Sequence, residues 1–159
     1  MSLEKEINQR KFRNEYQKSV INIIYTYNWL TEKINKVFDE WGITSQQFNI
    51  LRILRGAGKP LSTLQIRQRM LDKMSDTSRI VDRLVKKGLV KKAVCKTDRR
   101  LVDVTISGKG KKLLEKIDAY DGQMDGIMMN LSQTEAATLN GLLDKARSAE
   151  CAGINLSDD

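Results

Sequence analysis

Residues 59–112 read KPLSTLQIRQRMLDKMSDTSRIVDRLVKKGLVKKAVCKTDRRLVDVTISGKGKK, two short helical patterns followed by two strand patterns joined by a basic turn. Ser62-Thr63-Leu64-Gln65 is a capping box, in which the Ser hydroxyl and the Gln amide satisfy backbone N–H groups that a helix start leaves open. It predicts a short helix through about Met70. A second helix is expected over roughly 74–87. There Thr77, Ile80, Val81, Leu84 and Val85 share the inward face, while Ser75, Ser78, Arg79, Asp82, Arg83 and Lys86 share the outward one. Gly88 comes next as a left-handed cap. Leu89–Cys95 and Leu101–Ile106 alternate as strands, with Lys96-Thr97-Asp98-Arg99-Arg100 as the turn between them.

The order helix, turn, helix, hairpin is that of a winged helix-turn-helix that reads duplex DNA, and the charge agrees with it. Within 59–112 there are sixteen Lys and Arg against five Asp and Glu, a local net of +11. The whole chain carries +8, which leaves −3 for the flanks. A merely solvated surface need not concentrate its charge in this way, whereas a module that neutralises phosphates must.

Working outward, Tyr16, Val20, Ile23, Ile24, Tyr27, Leu30, Ile34, Val37, Phe38 and Trp41 recur at steps of three and four, which predicts one long helix ending near Gly42. Thr44 or Ser45 caps the next, with Phe48, Leu51 and Leu54 inward and Gly56-Ala57-Gly58 as its stop; Leu61 then suits a short edge strand. After the hairpin, one helix is expected from about Ser107 to Asn130, striped by Leu113, Leu114, Ile117, Tyr120, Met124, Ile127 and Met128. A last one opens at the capping box Ser132-Gln133-Thr134-Glu135 and carries Leu139, Leu142, Leu143 and Ala146. The expected class is mainly α with a small β-wing. Its parts are an N-terminal helix over 1–42, the winged helix-turn-helix over 43–106, C-terminal helices over 107–149, and a tail over 150–159. One small winged helix cannot bury three apolar stripes, so the terminal helices are expected to pair with those of a second copy as a twofold homodimer.

Composition excludes much else. The 159 residues are 40% apolar and 30% charged, as in a water-soluble globular chain. No apolar run approaches the ~20 residues of a membrane span and the polar start MSLEKEINQRKFRNEYQ is no export signal, so a cytoplasmic protein without a membrane partner is expected. There is no histidine, and Cys95 and Cys151 are too few and too far apart in sequence for a disulfide framework or a zinc site. With the most versatile general base absent and no nucleophile pattern present, neither an enzyme nor a cofactor is expected.

The candidate DNA-binding residues come from these elements. Ser75, Asp76, Ser78 and Arg79 lie at the start of the second helix, with Arg79 the one whose forked guanidinium suits guanine; Arg83 and Lys86 lie further along the same face. In the turn, Lys96, Arg99 and Arg100 can reach a narrow minor groove, and Asp98 can orient Arg100 from two residues away. A charged hairpin turn alone is a common solvated feature. The helix and hairpin together carry the reading.

Asp98-Arg99-Arg100-Leu101-Val102-Asp103-Val104-Thr105-Ile106-Ser107-Gly108-Lys109-Gly110 resembles the wing signature of the MarR family, with Ile106 and Ser107 replacing the usual leucine and threonine. Ser78–Val90 is similar to that family's recognition helix and first wing strand, and the likeness spans about 35–145. Met70-Leu71-Asp72-Lys73-Met74 departs from the usual small turn before the recognition helix. The resemblance implies a dimeric, ligand- or stress-responsive transcriptional regulator, usually a repressor, on a pseudo-palindromic operator. Arg100 takes the place of the minor-groove arginine. It also implies a pocket for a small aromatic effector between the dimer helices and the winged helix, for which Tyr16, Tyr27, Trp41 and Phe48 are candidates beside Tyr25 and Trp29. Aromatics at helical spacing are more often plain core. Peroxide-sensing members carry a cysteine near the N-terminal helix, which this chain lacks; Cys95 has basic neighbours but also suits a strand. The alternative is an architectural protein that binds nucleic acid without sequence preference, recognisable by equal affinity for any duplex.

Overall fold

The computed structural model describes residues 2–94 and 102–148. Its elements are α1 (Leu3–Glu6), α2 (Glu15–Asp39), α3 (Ser45–Ala57), β1 (Leu61–Ser62), α4 (Thr63–Arg69), α5 (Thr77–Lys86), β2 (Val90–Val94), β3 (Val102–Ile106), α6 (Gly108–Asp118), α7 (Asp121–Gly126) and α8 (Gln133–Ser148). One compact unit ends at Asp121 and a second begins at Gly122.

Local chemistry sets most boundaries in the first unit. The Asn14 side chain caps α2 by accepting the Gln17 N–H at 2.9 Å, and Gly42 closes its far end at φ +63°. Thr44 and Gln47 cap α3 reciprocally, as Ser62 and Gln65 cap α4, so in each case two groups that a helix start leaves open are met. The three strands form an antiparallel sheet in the order β1-β3-β2, with Leu61 opposite Val104 and Val90 opposite Ile106. The core lies where α3, α4 and α5 meet this sheet and α6. Ile50, Leu51 and Leu54 of α3 are buried there with Leu61, Ile66, Val81, Leu84, Val104 and Leu114. Each such side chain stabilises the fold by about 1.5–3 kcal/mol of transfer free energy. Arg55 and Asp118 add a two-pronged ion pair from α3 to α6.

α2 differs from α3 in what it covers. Phe38, whose ring centroid lies 4.4 Å from that of Phe48, is its one buried residue. Tyr16 stands 84% exposed, and Val20, Ile23, Ile24 and Tyr27 are also exposed. The expected apolar stripe is therefore uncovered over its N-terminal half, while Leu30, Ile34, Val37 and Trp41 are half-buried. α1, which the sequence reading did not foresee, folds back on the start of α2: Leu3 is buried, Lys18 Nζ stands 2.6 Å from Glu4, and the Tyr25 hydroxyl donates to Glu6 at 2.9 Å. The hydrogen bond from Lys18 holds the Glu4 carboxyl at about 2, against an ordinary 4.5.

Two expectations need correction. The helix placed over 107–130 is two helices, α6 and α7, because α6 ends in a tight turn where the Tyr120 N–H donates to Ile117 O at 2.8 Å. Gly122 and Gly126 then lower the helical preference of the next turns. The helix placed at 74 begins at Thr77, because side chains of the preceding turn bind its backbone in place of helical partners. In the second unit, Ser132 and Glu135 form the expected reciprocal cap on α8, the Glu135 N–H donating to the Ser132 hydroxyl at 3.3 Å and the Ser132 N–H to the Glu135 carboxylate at 2.8 Å. These contacts hold the Glu135 carboxyl below its usual range. No residue of α8 is buried, and Leu139 and Leu142 are exposed. Among the described residues, no helix is long and apolar enough to cross a membrane.

Candidate nucleic-acid interface

α4, the turn 70–76 and α5 form the helix-turn-helix. Thr77, Val81 and Leu84 anchor the inner face of α5, and the Thr77 hydroxyl lies 3.5 Å from the buried Met70 sulfur. Ile80 is half-buried, while Val85, expected inward, is 36% exposed. The turn is tied by side chains that compete with helix formation. Asp72 accepts the Met74 N–H at 3.0 Å, the Ser75 hydroxyl donates to Asp72 O at 2.9 Å, and Asn49 of α3 accepts the Leu71 N–H at 3.1 Å. Asp76 then caps α5 by accepting the Arg79 N–H at 3.1 Å. Met74 and Ser75 fit the helical period but are held out of it.

The structure brings Ser78, Arg79, Arg83 and Lys86 together on the exposed face of α5. Asp82 shares that face and is paired with Lys92 of β2. Ser75 is half-buried and structural in its contacts, and Asp76 is a cap rather than a helical residue. The candidates Lys96, Asp98, Arg99 and Arg100 lie outside the described residues, as do Cys95 and Cys151. The strands β2 and β3 on either side of these residues are in place, with Val94 opposite Val102. Sequence reasoning passed over Arg67 and Arg69, which α4 exposes beside the turn. Their signal lay in the sixteen-cation block itself, since the first helix of such a motif crosses the phosphate backbone.

The C-terminal end of α5 is bolted to its surroundings. Lys87 Nζ donates to Gly42 O at 2.6 Å and to Gln47 Oε1 at 2.9 Å, the Lys109 ammonium donates to Lys87 O at 2.9 Å, and the Ser107 hydroxyl donates to Gly88 O at 2.7 Å. Gly88 adopts φ +72°, and the close approach behind it requires glycine at 110, where a Cβ would stand 2.3 Å from Leu89 O.

Beside these bonds opens a cavity of about 870 Å³, floored by Trp41, Ile43, Leu89 and Leu113 and rimmed by Lys87, Lys109, Lys112 and Lys116. Of the four aromatic candidates, Trp41 lines it, its ring edge-on to Tyr120 with centroids 5.5 Å apart. Phe48 instead packs on Phe38 and under the Arg52 guanidinium, and Tyr16 and Tyr27 stand exposed on α2. The four do not share one pocket. The lysines that rim it come from two separate stretches of sequence, so no local pattern announced them. Among the described residues no cluster of His, Cys, Asp and Glu could hold a metal.

A model of the MarR family matches residues 41–101, the span of α3, α4, α5 and β2. The multiple antibiotic resistance protein MarR of Salmonella typhimurium is 28% identical over 126 residues, covering 77% of this chain and 87% of its own. Over this span the chain is similar to the MarR family of transcription regulators. A MarR structure from Escherichia coli, a point mutant in complex with operator DNA, shares the fold with a TM-score of 0.76 at 24% identity, over 86% of this chain and 99% of the other. The Bordetella bronchiseptica regulator BpsR, solved in a study of how 6-hydroxynicotinic acid regulates its DNA binding, matches with a TM-score of 0.72 at 21% identity, over 82% and 98%. The MarR likeness in fold thus reaches well beyond the winged helix.

Proposed function

We propose that this chain is a MarR-family regulator, a sequence-specific reader of double-stranded DNA that acts in the cytoplasm as a repressor, binding a pseudo-palindromic operator as a homodimer. The observation that carries the reading is the exposed face of α5, where Ser78, Arg79, Arg83 and Lys86 stand opposite the buried Thr77, Val81 and Leu84. Arg79 is suited to a guanine edge, and Arg83 and Lys86, with Arg67 and Arg69 of α4, to phosphates. In this reading the turn 96–100 enters the minor groove, with Lys96, Arg99 and Arg100 as its cations and Asp98 orienting Arg100. The winged helix over 43–106 does the reading, and the helices of 1–42 and 107–149 hold the dimer. The uncovered apolar faces of α2 and α8 support that pairing, since a monomer would leave them in water.

The cavity beside Lys87 supports an effector that is flat, apolar and anionic, an aromatic carboxylate or a phenolate, with Trp41 against its face and lysines at its charge. Such a ligand regulates DNA binding only to the extent that it prefers one arrangement of the reading helices over another. The experiment for the central reading is selection of bound fragments from the source genome, then footprinting and salt titration. A short inverted repeat bound far more tightly than random duplex is expected. Equal affinity for every duplex would instead identify an architectural protein.

A further inference from the structure

The two most exposed large apolar side chains among the described residues stand on the turn leading into α5, Leu71 at 90% and Met74 at 91%. Neither is a frayed end, because hydrogen bonds to Asp72 and Asn49, one of them donated by the Ser75 hydroxyl, hold the turn. Nothing in the fold uses them, and exposed apolar groups on a fixed support mark a binding surface when they cluster. Met74 does have company. It faces exposed Leu64 of α4 across a shallow groove of about 400 Å³, which Ser75 and Ser78 also line and Arg67 borders. Leu71 is not among the residues lining it.

The charge around this groove selects its occupant. Arg67 and Asp76 line the groove, Asp76 is paired with Arg79, and exposed Lys73 stands beside Asp72 in the chain; the balance is still positive, inside a block of net +11, so the partner is a polyanion that also offers an apolar group. Duplex DNA meets both demands. On its major-groove edges the one apolar group among the four bases is the C5-methyl of thymine. We propose that Met74, with Leu64 opposite, reads thymine methyl groups at the bases addressed by the start of α5. The inference rests on the DNA-reader reading above and goes beyond it, because it assigns a base to residues outside the reading helix and to an interaction without hydrogen bonds.

The test uses the full chain and the best duplex from selection. Each thymine is replaced singly by deoxyuridine, which keeps every hydrogen-bonding group and removes only the methyl. The wild-type protein is expected to lose about threefold to tenfold in affinity at one or two positions in each half-site, as burial of one methyl predicts. Met74→Ala should bind the thymine duplex that much more weakly and no longer distinguish it from the deoxyuridine duplex at those positions. Met74→Leu should still distinguish them, and so should Leu71→Ala, whose side chain is as exposed but lies off the groove. Unchanged wild-type affinity at every position, or full discrimination by Met74→Ala, overturns the inference while leaving the reader intact. A selection that yields no preferred sequence overturns the reader and the inference together.

Discussion

The carboxylate of Asp76 serves Arg79 twice: one oxygen accepts the Arg79 backbone N–H at 3.1 Å, and the other stands 3.1 Å from Nε of the Arg79 side chain. The residue that caps α5 therefore also orients its first arginine. The two effects separate by substitution. Asp76→Ala removes both and should lower stability by about 1 kcal/mol, the usual worth of a helix cap. Asp76→Asn keeps a capping oxygen and removes the ion pair, which at this exposure is worth less than about 1 kcal/mol. Both variants should bind random duplex more tightly, having lost a negative charge beside phosphates, and discriminate less. Urea unfolding together with titration of specific and scrambled duplexes checks this; equal destabilisation by Asn and Ala would refute the capping role.

Arg79→Ala should cost about 1–3 kcal/mol at the preferred site and relax discrimination at one base pair. Lys86→Ala, at the far end of α5, should weaken all duplexes evenly and shallow the salt dependence by about one ion. Identical, sequence-independent losses in the two variants would show that α5 is not the reading helix.

Gly110→Ala should destabilise the first unit by about 1–3 kcal/mol, because the new Cβ would meet Leu89 O at 2.3 Å and Ile106 Cγ1 at 2.9 Å. Gly108→Ala, with nothing within 4 Å of its Cβ, should be neutral or stabilise by up to about 1 kcal/mol. Urea midpoints of the two variants measure the difference directly. Equal midpoints would mean that β2 and α6 can part without cost.

Much of this was legible because it is local. Ser62 with Gln65 and Ser132 with Glu135 announce helix starts within four residues of sequence, and the structure has both; of Thr44 and Ser45, between which the sequence left the cap of α3 open, the structure uses Thr44, paired with Gln47. What was not legible depends on contacts between distant segments or on close competition. The apolar spacing runs unbroken through Tyr120 and Met124, so the end of α6 left no mark in the period. Met74 and Ser75 suit a helix as well as a turn, and only the Asp72 and Asp76 carboxylates decide between them. α1 has four residues and stands on its contacts with Lys18 and Tyr25. Trp41 was a pocket candidate by resemblance, but its lysine companions are set by the fold alone.

Ile24→Asp, in the middle of the exposed face of α2, should convert a twofold dimer into a monomer and lower operator affinity by about tenfold or more, since one half-site is then bound without the other. One apolar seam cannot accept a buried, unpaired carboxylate without costing several kcal/mol. Sedimentation at micromolar concentration is the measurement. A wild-type protein that sediments as a monomer there would end the dimer reading.

Acid should loosen α1 from α2 ahead of the rest of the first unit. Glu4 is held at about 2 against an ordinary 4.5 by the Lys18 hydrogen bond, so it titrates at lower pH folded than unfolded. Its contribution is fully present above about 4.5 and is lost as pH falls from there toward 2. Amide exchange in α1 monitored by NMR should rise across that window in the wild type. In Glu4→Gln that step should vanish; its persistence would assign the transition to another group.

The bonds from Lys87, Lys109 and Ser107 all grip one end of α5, while the other end rests on a turn tied by side chains. The ten residues of α5 would act as an arm about 15 Å long if an effector turned the helix about Lys87 against the packing of Val81 and Leu84. Tilting it by about 10° about that point carries the Ser78–Arg79 end roughly 2–3 Å, about the length of a hydrogen bond. The corner at Gly42, where Lys87 is fastened, is thus where a small push has the longest reach, and the cavity opens beside it.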